Sequence, residues 1–145
     1  MFISSLGHLA DTGTPKGLGV FATRNIKAGE IVEKAPVIQI RCDFSNLSPE
    51  LKSRVFHWAR LASRQGVHAV ALGYGSMYNH ANPANMQYGA VDNGTAIQFV
   101  AATDIAAGEE LTINYNDTGG TPVSTHDNWF ELQGITPHAP TDNDA

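Results

Sequence analysis

The chain has 145 residues, 42% of them hydrophobic and 16% charged, which fits one compact domain with a core of useful size. Its formal charge of -5 argues against direct nucleic-acid binding and suits a basic protein or peptide partner. The single cysteine, Cys42, excludes an intrachain disulfide and a Cys-rich zinc cluster; with no basic leader and no run near the ~20 apolar residues of a membrane span, a cytoplasmic protein without membrane contact is expected.

In chain order, Met1 to Leu6 reads as a short first strand and Asp11 to Gly19, dense in turn formers, as a loop. Val20-Phe21-Ala22 and Ile31 to Ile40 read as strands, with Pro36 marking an edge or a bend. Ser48, Pro49 and Glu50 have the character of N-cap, N1 and N2, and Leu51, Val55, Trp58 and Ala62 recur at helical spacing. One main helix running to Gly66 is therefore expected. Val67 to Leu72 is a small-residue apolar stretch leading into the polar, irregular run Leu72 to Asn85. Met86 to Val91 and Thr95 to Ala101, joined through Asp92-Asn93-Gly94, predict a hairpin. Ala22, Ile26, Ala28, Gly29 and Glu30 recur as Ala101, Ile105, Ala107, Gly108 and Glu109, read as two similar turns solving one local problem rather than as a tandem repeat. Thr112 to Tyr115 reads as a strand, Trp129 to Leu132 as one helical turn, and the residues from Thr136 as a solvated tail.

Three stretches are suited to chemistry. In Lys16-Gly17-Leu18-Gly19 two glycines let backbone groups touch a ligand, although a lone Gly-x-Gly is usually only a turn. The third glycine of a dinucleotide fingerprint and the Gly-Lys-Ser/Thr of a P-loop are missing. Asn79-His80 with Asn85 offers a backbone and amide array for a planar group such as adenine; the plain alternative is a turn whose Asn side chains satisfy local backbone. Glu110 to Tyr115 is a strand ending in a tyrosine whose hydroxyl faces either a site or solvent. The histidines His8, His57, His68, His80, His126 and His138 lack the paired helical spacing of zinc ligands, so no metal is expected.

Taken in this order, Gly17-Leu18-Gly19, Asn79-His80-Ala81-Asn82-Pro83-Ala84-Asn85 and Glu110-Leu111-Thr112-Ile113-Asn114-Tyr115 resemble the Gly-x-Gly, Asn-His-x-x-x-Pro-Asn and Glu-Leu-x-x-x-Tyr motifs of the SET-domain protein lysine methyltransferases. The size is similar to that of the small viral and prokaryotic members without zinc-bearing flanks. The chain departs from the pattern at Ala81-Asn82, where Ser-Cys is usual, at Pro83, one place early, and at Asn114, where an acidic residue is common. The resemblance implies a mostly β fold, the β-clip of several short sheets, with one main helix and a threaded C-terminal strand. It implies a single domain over 1–135, with a core over 18–117, a closing segment over 118–135 and a flexible tail over 136–145. It also implies an enzyme that moves a methyl group from S-adenosyl-L-methionine to a lysine of a basic, histone-like or other protein, in the cytoplasm, or in a nucleus if that protein is a histone. Tyr115 would be catalytic; Lys16, Gly17, Leu18, Gly19, Asn79, His80 and Tyr115 would hold the cofactor, with Trp129 or Phe130 over the adenine; and Tyr74, Tyr78 and Tyr88 would wall the lysine channel. A homodimer completing the peptide groove is compatible with the missing flanks. The alternatives are an inactive SET-like module that holds only peptide or cofactor, and a β-rich structural or carbohydrate-interacting domain whose motifs match by chance.

Overall fold

The computed structural model describes residues 1–64, 66–115 and 119–124, and it is mostly β, with nine short strands in three sheets among those residues. β1 (Gly7–Asp11) and β2 (Leu18–Ala22) form an antiparallel pair. The main sheet is built from β3 (Ile31–Arg41), β4 (Val55–His57), β5 (Val67–Ala71), β7 (Met86–Val91) and β8 (Ala96–Ala101), in the order β4-β5-β3-β8-β7. β6 (Asn79–His80) and β9 (Thr112–Ile113) make a parallel pair, Asn79 opposite Thr112 and His80 opposite Ile113. Trp58, Tyr78, Phe99, Ile97 and Met86 fill the core.

The hairpin forms as its sequence predicts. Met86 pairs with Ala101 and Val91 with Ala96, and Asp92, Asn93 and Gly94 carry φ of 52°, 59° and 84° through the turn. Asp, Asn and Gly are the residues that tolerate the left-handed region, so this triplet fixes the register. The Gly94 carbonyl then accepts from Trp58 Nε1 at 3.0 Å and Gln39 Nε2 at 3.1 Å, which ties the turn to the core.

The single main helix does not form. Ser48 caps α1 (Pro49–Lys52) through a hydrogen bond from the Leu51 N–H, but the helix ends after one turn, and α2 (Trp58–Ala62) starts only after β4. Val55, Phe56 and His57 pair with Val70, Ala69 and His68 of β5 instead. β-Branched and aromatic side chains favour that pairing, and an isolated helix of this length gains little, so sheet extension and burial of Phe56 prevail. Val55 and Trp58 still point inward, which is why their spacing looked helical. Two smaller expectations also change. Met1 to Leu6 is not a strand: Ile3 bridges to Lys34, the Leu6 N–H bonds Val32 and the Leu6 carbonyl takes the Thr23 N–H, and the first strand starts at Gly7. Pro36 lies inside the sheet: β3 pairs with β8 up to Pro36 and with β5 from Val37, so the missing donor falls at the change of partner.

The two Ile-x-Ala-Gly-Glu turns prove to be partners. Ile26 and Ile105 exchange both backbone hydrogen bonds at 2.8 Å, and both side chains are buried. Asn25 Oδ1 accepts from the Ala107 N–H as Asp104 Oδ1 accepts from the Ala28 N–H, each at 2.9 Å. The Ala22 N–H donates to Glu109 as the Ala101 N–H donates to Glu30. This local two-fold clamps the chain just before β9. Segment 109–113 then runs between β2, through the Phe21–Glu110 bridge and the bond from the Leu111 N–H to Val20, and β6.

Candidate active site

The three motif stretches, far apart in sequence, meet at β6 and β9. Gly19 is required there by close approach: a Cβ on it would lie 2.6 Å from Glu110 Oε2, 2.8 Å from Thr12 and 3.0 Å from Asn79 Nδ2. Gly17 has φ of +76° and an open face, since a Cβ on it would meet nothing within 4 Å. Lys16 Nζ reaches the His80 carbonyl at 3.4 Å, joining the glycine loop to the Asn-His turn.

The asparagine amides are bonded within the protein. Asn79 Nδ2 donates both protons, to the Leu18 carbonyl at 2.9 Å and to Glu110 Oε2 at 2.7 Å. Asn85 Nδ2 donates to the Glu110 carbonyl at 2.8 Å, while its Oδ1 accepts from the Thr112 N–H at 2.9 Å. Both side chains therefore satisfy backbone, as the plain alternative held, but backbone distant in sequence. They hold the start of β9 in place.

Tyr115 follows from that anchoring. Its N–H donates to His80 Nδ1 at 3.0 Å, so His80 offers a lone pair at Nδ1, and the two rings lie 5.4 Å apart. Its hydroxyl donates to the Tyr78 carbonyl at 2.5 Å. Burial pushes this phenol up to about 12, with Glu110 adding to the rise and the Arg54 guanidinium opposing it by charge and hydrogen bond. The hydroxyl thus stays protonated across the physiological range.

Beside it lies a narrow cavity of about 30 Å³, whose lining includes Arg54, Phe56, His57, Tyr78, Tyr88 and Tyr115. Of the three expected wall tyrosines, Tyr78 and Tyr88 line it and Tyr74 does not. The Tyr78 hydroxyl is committed elsewhere, to Glu33 Oε1 at 2.7 Å and Ser5 Oγ at 2.8 Å, leaving its ring and carbonyl for the cavity. Glu33, 2% exposed, also takes the Tyr74 N–H at 2.9 Å, and burial raises its carboxyl above the usual range. Burial, then the facing His68, lowers His57.

Sequence reasoning missed Glu33, Arg54 and His57. An irregularity in the β3 register between Ile31 and Glu33 leaves the adjacent Val32 and Glu33 both buried, which alternation cannot foresee. Arg54 and His57 come to the cavity only because β4 interrupts the expected helix. Trp129 and Phe130, the candidates for covering an adenine, lie outside the described residues.

A family model for the SET domain matches residues 17–116, the span that contains all three motifs. The chain belongs to the SET-domain family. A Schizosaccharomyces pombe histone-lysine N-methyltransferase, named as specific for lysine 37 of H3, is 30% identical over 105 residues, covering 70% of this chain and 68% of that protein. Among solved structures, a candidate histone methyltransferase from Plasmodium falciparum superposes with a TM-score of 0.62 at 23% identity, over 78% of this chain and 95% of that one. The Chaetomium thermophilum Polycomb Repressive Complex 2 bound to S-adenosylmethionine gives a TM-score of 0.63 at 26% identity, over 80% of this chain and 16% of that one. This SET domain therefore spans only a small part of the polycomb chain it matches, and both solved structures share its fold. On family and homology it is a protein-lysine methyltransferase.

Two positions at which this SET domain departs from the common motif act together. Asn82, whose bond to Pro83 is cis, donates to the Ser124 carbonyl at 3.1 Å and accepts from the Ser124 N–H at 3.2 Å. Asn114, fully buried, donates to Ser124 Oγ at 3.0 Å. The pair ties Ser124 to the Asn-His turn.

Proposed function

We propose that this SET domain depends on S-adenosylmethionine and that its acceptor is a lysine of a histone or a similarly basic protein. The observation that carries the reading is the Tyr115 hydroxyl, fixed by the Tyr78 carbonyl at the end of a narrow, largely aromatic cavity, beside the junction of the glycine loop and the Asn-His turn. The residues fit the cofactor: Gly17 leaves an open face on the Lys16 to Gly19 backbone, and the Lys16 bond to the His80 carbonyl sets the Asn79-His80 backbone beside it. When bound, the cofactor supplies a methyl group on a sulfonium, which leaves as a neutral thioether.

The chain's own part is alignment, exclusion of water and charge placement. Lysine titrates near ~10.4 in water, so the acceptor arrives as an ammonium and must give a proton to water before the neutral amine can attack. Tyr115 stays a phenol, which suits it to orient the amine rather than to remove its proton. The Tyr78 and Ser76 carbonyls, which accept from Tyr115 and Arg54, would present negative ends of dipoles to a positive methyl held beside them. Net negative charge favours encounter with a basic tail.

The reading is tested by incubating the wild-type chain with methyl-labelled S-adenosylmethionine and histone H3, with thermal unfolding followed alongside. Label on an H3 lysine together with a cofactor-dependent rise in melting temperature is expected. No label and no rise would overturn it.

A further inference from the structure

Arg54 is a cation in a pocket suited to a cation. Its Nη1 donates to the Ser76 carbonyl at 3.2 Å, and it lines the same cavity as Tyr115. The cavity that Arg54 lines also presents Phe56, Tyr78, Tyr88 and Tyr115, with the Ser76 carbonyl on Arg54 and the Tyr78 carbonyl on Tyr115. Aromatic faces and carbonyls are the chemistry that seats an ammonium. No carboxylate forms a salt bridge with Arg54 among the described residues, so neutral acceptors alone hold the guanidinium. Its backbone, by contrast, is pinned: the N–H donates to Leu51 and the carbonyl accepts from Ser76 Oγ, both at 2.9 Å. Only the side chain is free to leave. The cavity of about 30 Å³ is smaller than the four-carbon stem of a lysine, and Arg54 is part of its lining.

We propose that Arg54 is a specificity-determining residue that occupies the seat of the acceptor lysine and is displaced when the substrate enters. The inference rests on the methyltransferase reading above. Each acceptor then competes with a tethered cation, and its apparent affinity is reduced by the fraction of molecules whose seat is free. Hydrogen bonds from a charged donor make that reduction about tenfold. The seat accordingly selects acceptors with further contacts along the peptide.

Two variants test this, each first checked for a thermal shift by S-adenosylmethionine like that of the wild type. In Arg54→Gln the KM for histone H3 should fall about tenfold, with the change in KM rather than in kcat. In Arg54→Lys an amine replaces the guanidinium, and with S-adenosylmethionine alone the variant should methylate itself at position 54. There the neutral amine's lone pair forms the N–C bond as the C–S bond breaks, the bonding pair stays on sulfur, and the new ammonium returns a proton to water. Intact mass and peptide mapping read the added methyl, whose rate should not depend on protein concentration. A raised or unchanged KM in Arg54→Gln, or an Arg54→Lys chain that methylates H3 but never itself, would overturn the proposal. Wild-type protein that methylates no histone would overturn the underlying reading instead.

Discussion

Glu33 is buried with its carboxylate between the Tyr78 hydroxyl and the Tyr74 N–H, so it holds the loop whose Tyr78 carbonyl takes the Tyr115 hydroxyl. Its carboxyl is raised by burial, so above the unfolded value of 4.5 the unfolded chain releases a proton that the folded chain retains, and stability falls as pH rises through that window. Glu33→Gln removes this slope. Its carbonyl keeps the Tyr74 N–H, while its amide donates to a Tyr78 hydroxyl turned toward Ser5. Denaturant midpoints compared from pH 4 upward should show wild type losing ground to Glu33→Gln; parallel curves would contradict this. Asn85→Ala leaves the Glu110 carbonyl and the Thr112 N–H without their partner and should cost about 1–3 kcal/mol by the same measurement. These roles are only partly legible in the sequence. The density of amides between Asn79 and Asn85 marks the site, but their partners lie some 25 to 61 residues away in the chain.

At the scale of elements, the glycine loop and β4 decide the site's shape. Gly19→Ala should destabilise by about 1–3 kcal/mol, because its methyl meets Glu110 and Asn79 within 3 Å and both are anchored. Gly17→Ala meets no neighbour and suffers only from its φ of +76°. A cost at Gly19 that fails to exceed the one at Gly17 would contradict the close-approach account. The hairpin was legible because Asn93-Gly94 encodes its own backbone angles. The strand β4 was not, because Val55, Trp58 and Ala62 sit at intervals that suit a helix, while the choice is made by β5, a partner absent from any local window. For the same reason Arg54 had no signal in the sequence.

At the scale of the whole molecule, the paired Ile26 and Ile105 turns clamp the two halves of the chain around β9. Ile26→Ala and Ile105→Ala should each cost about 2–5 kcal/mol, and the double variant less than their sum by about 0.5 kcal/mol or more, since each empties the same contact. Strict additivity would mean that the two turns are independent and contradict the clamp. The recurrence was visible from residue types; its reciprocity was not, because only the folded chain brings Asn25 to Ala107 and Asp104 to Ala28. Everything in this arrangement converges on one hydroxyl, held by the Tyr78 carbonyl next to the cavity. The most direct measurement is single-turnover transfer of labelled methyl from S-adenosylmethionine to histone H3 by wild type and Tyr115→Phe, matched for folding and for cofactor-induced thermal shift. A fall in rate of about a hundredfold or more in Tyr115→Phe is the predicted result. Equal rates would contradict the assignment of the chemistry to Tyr115.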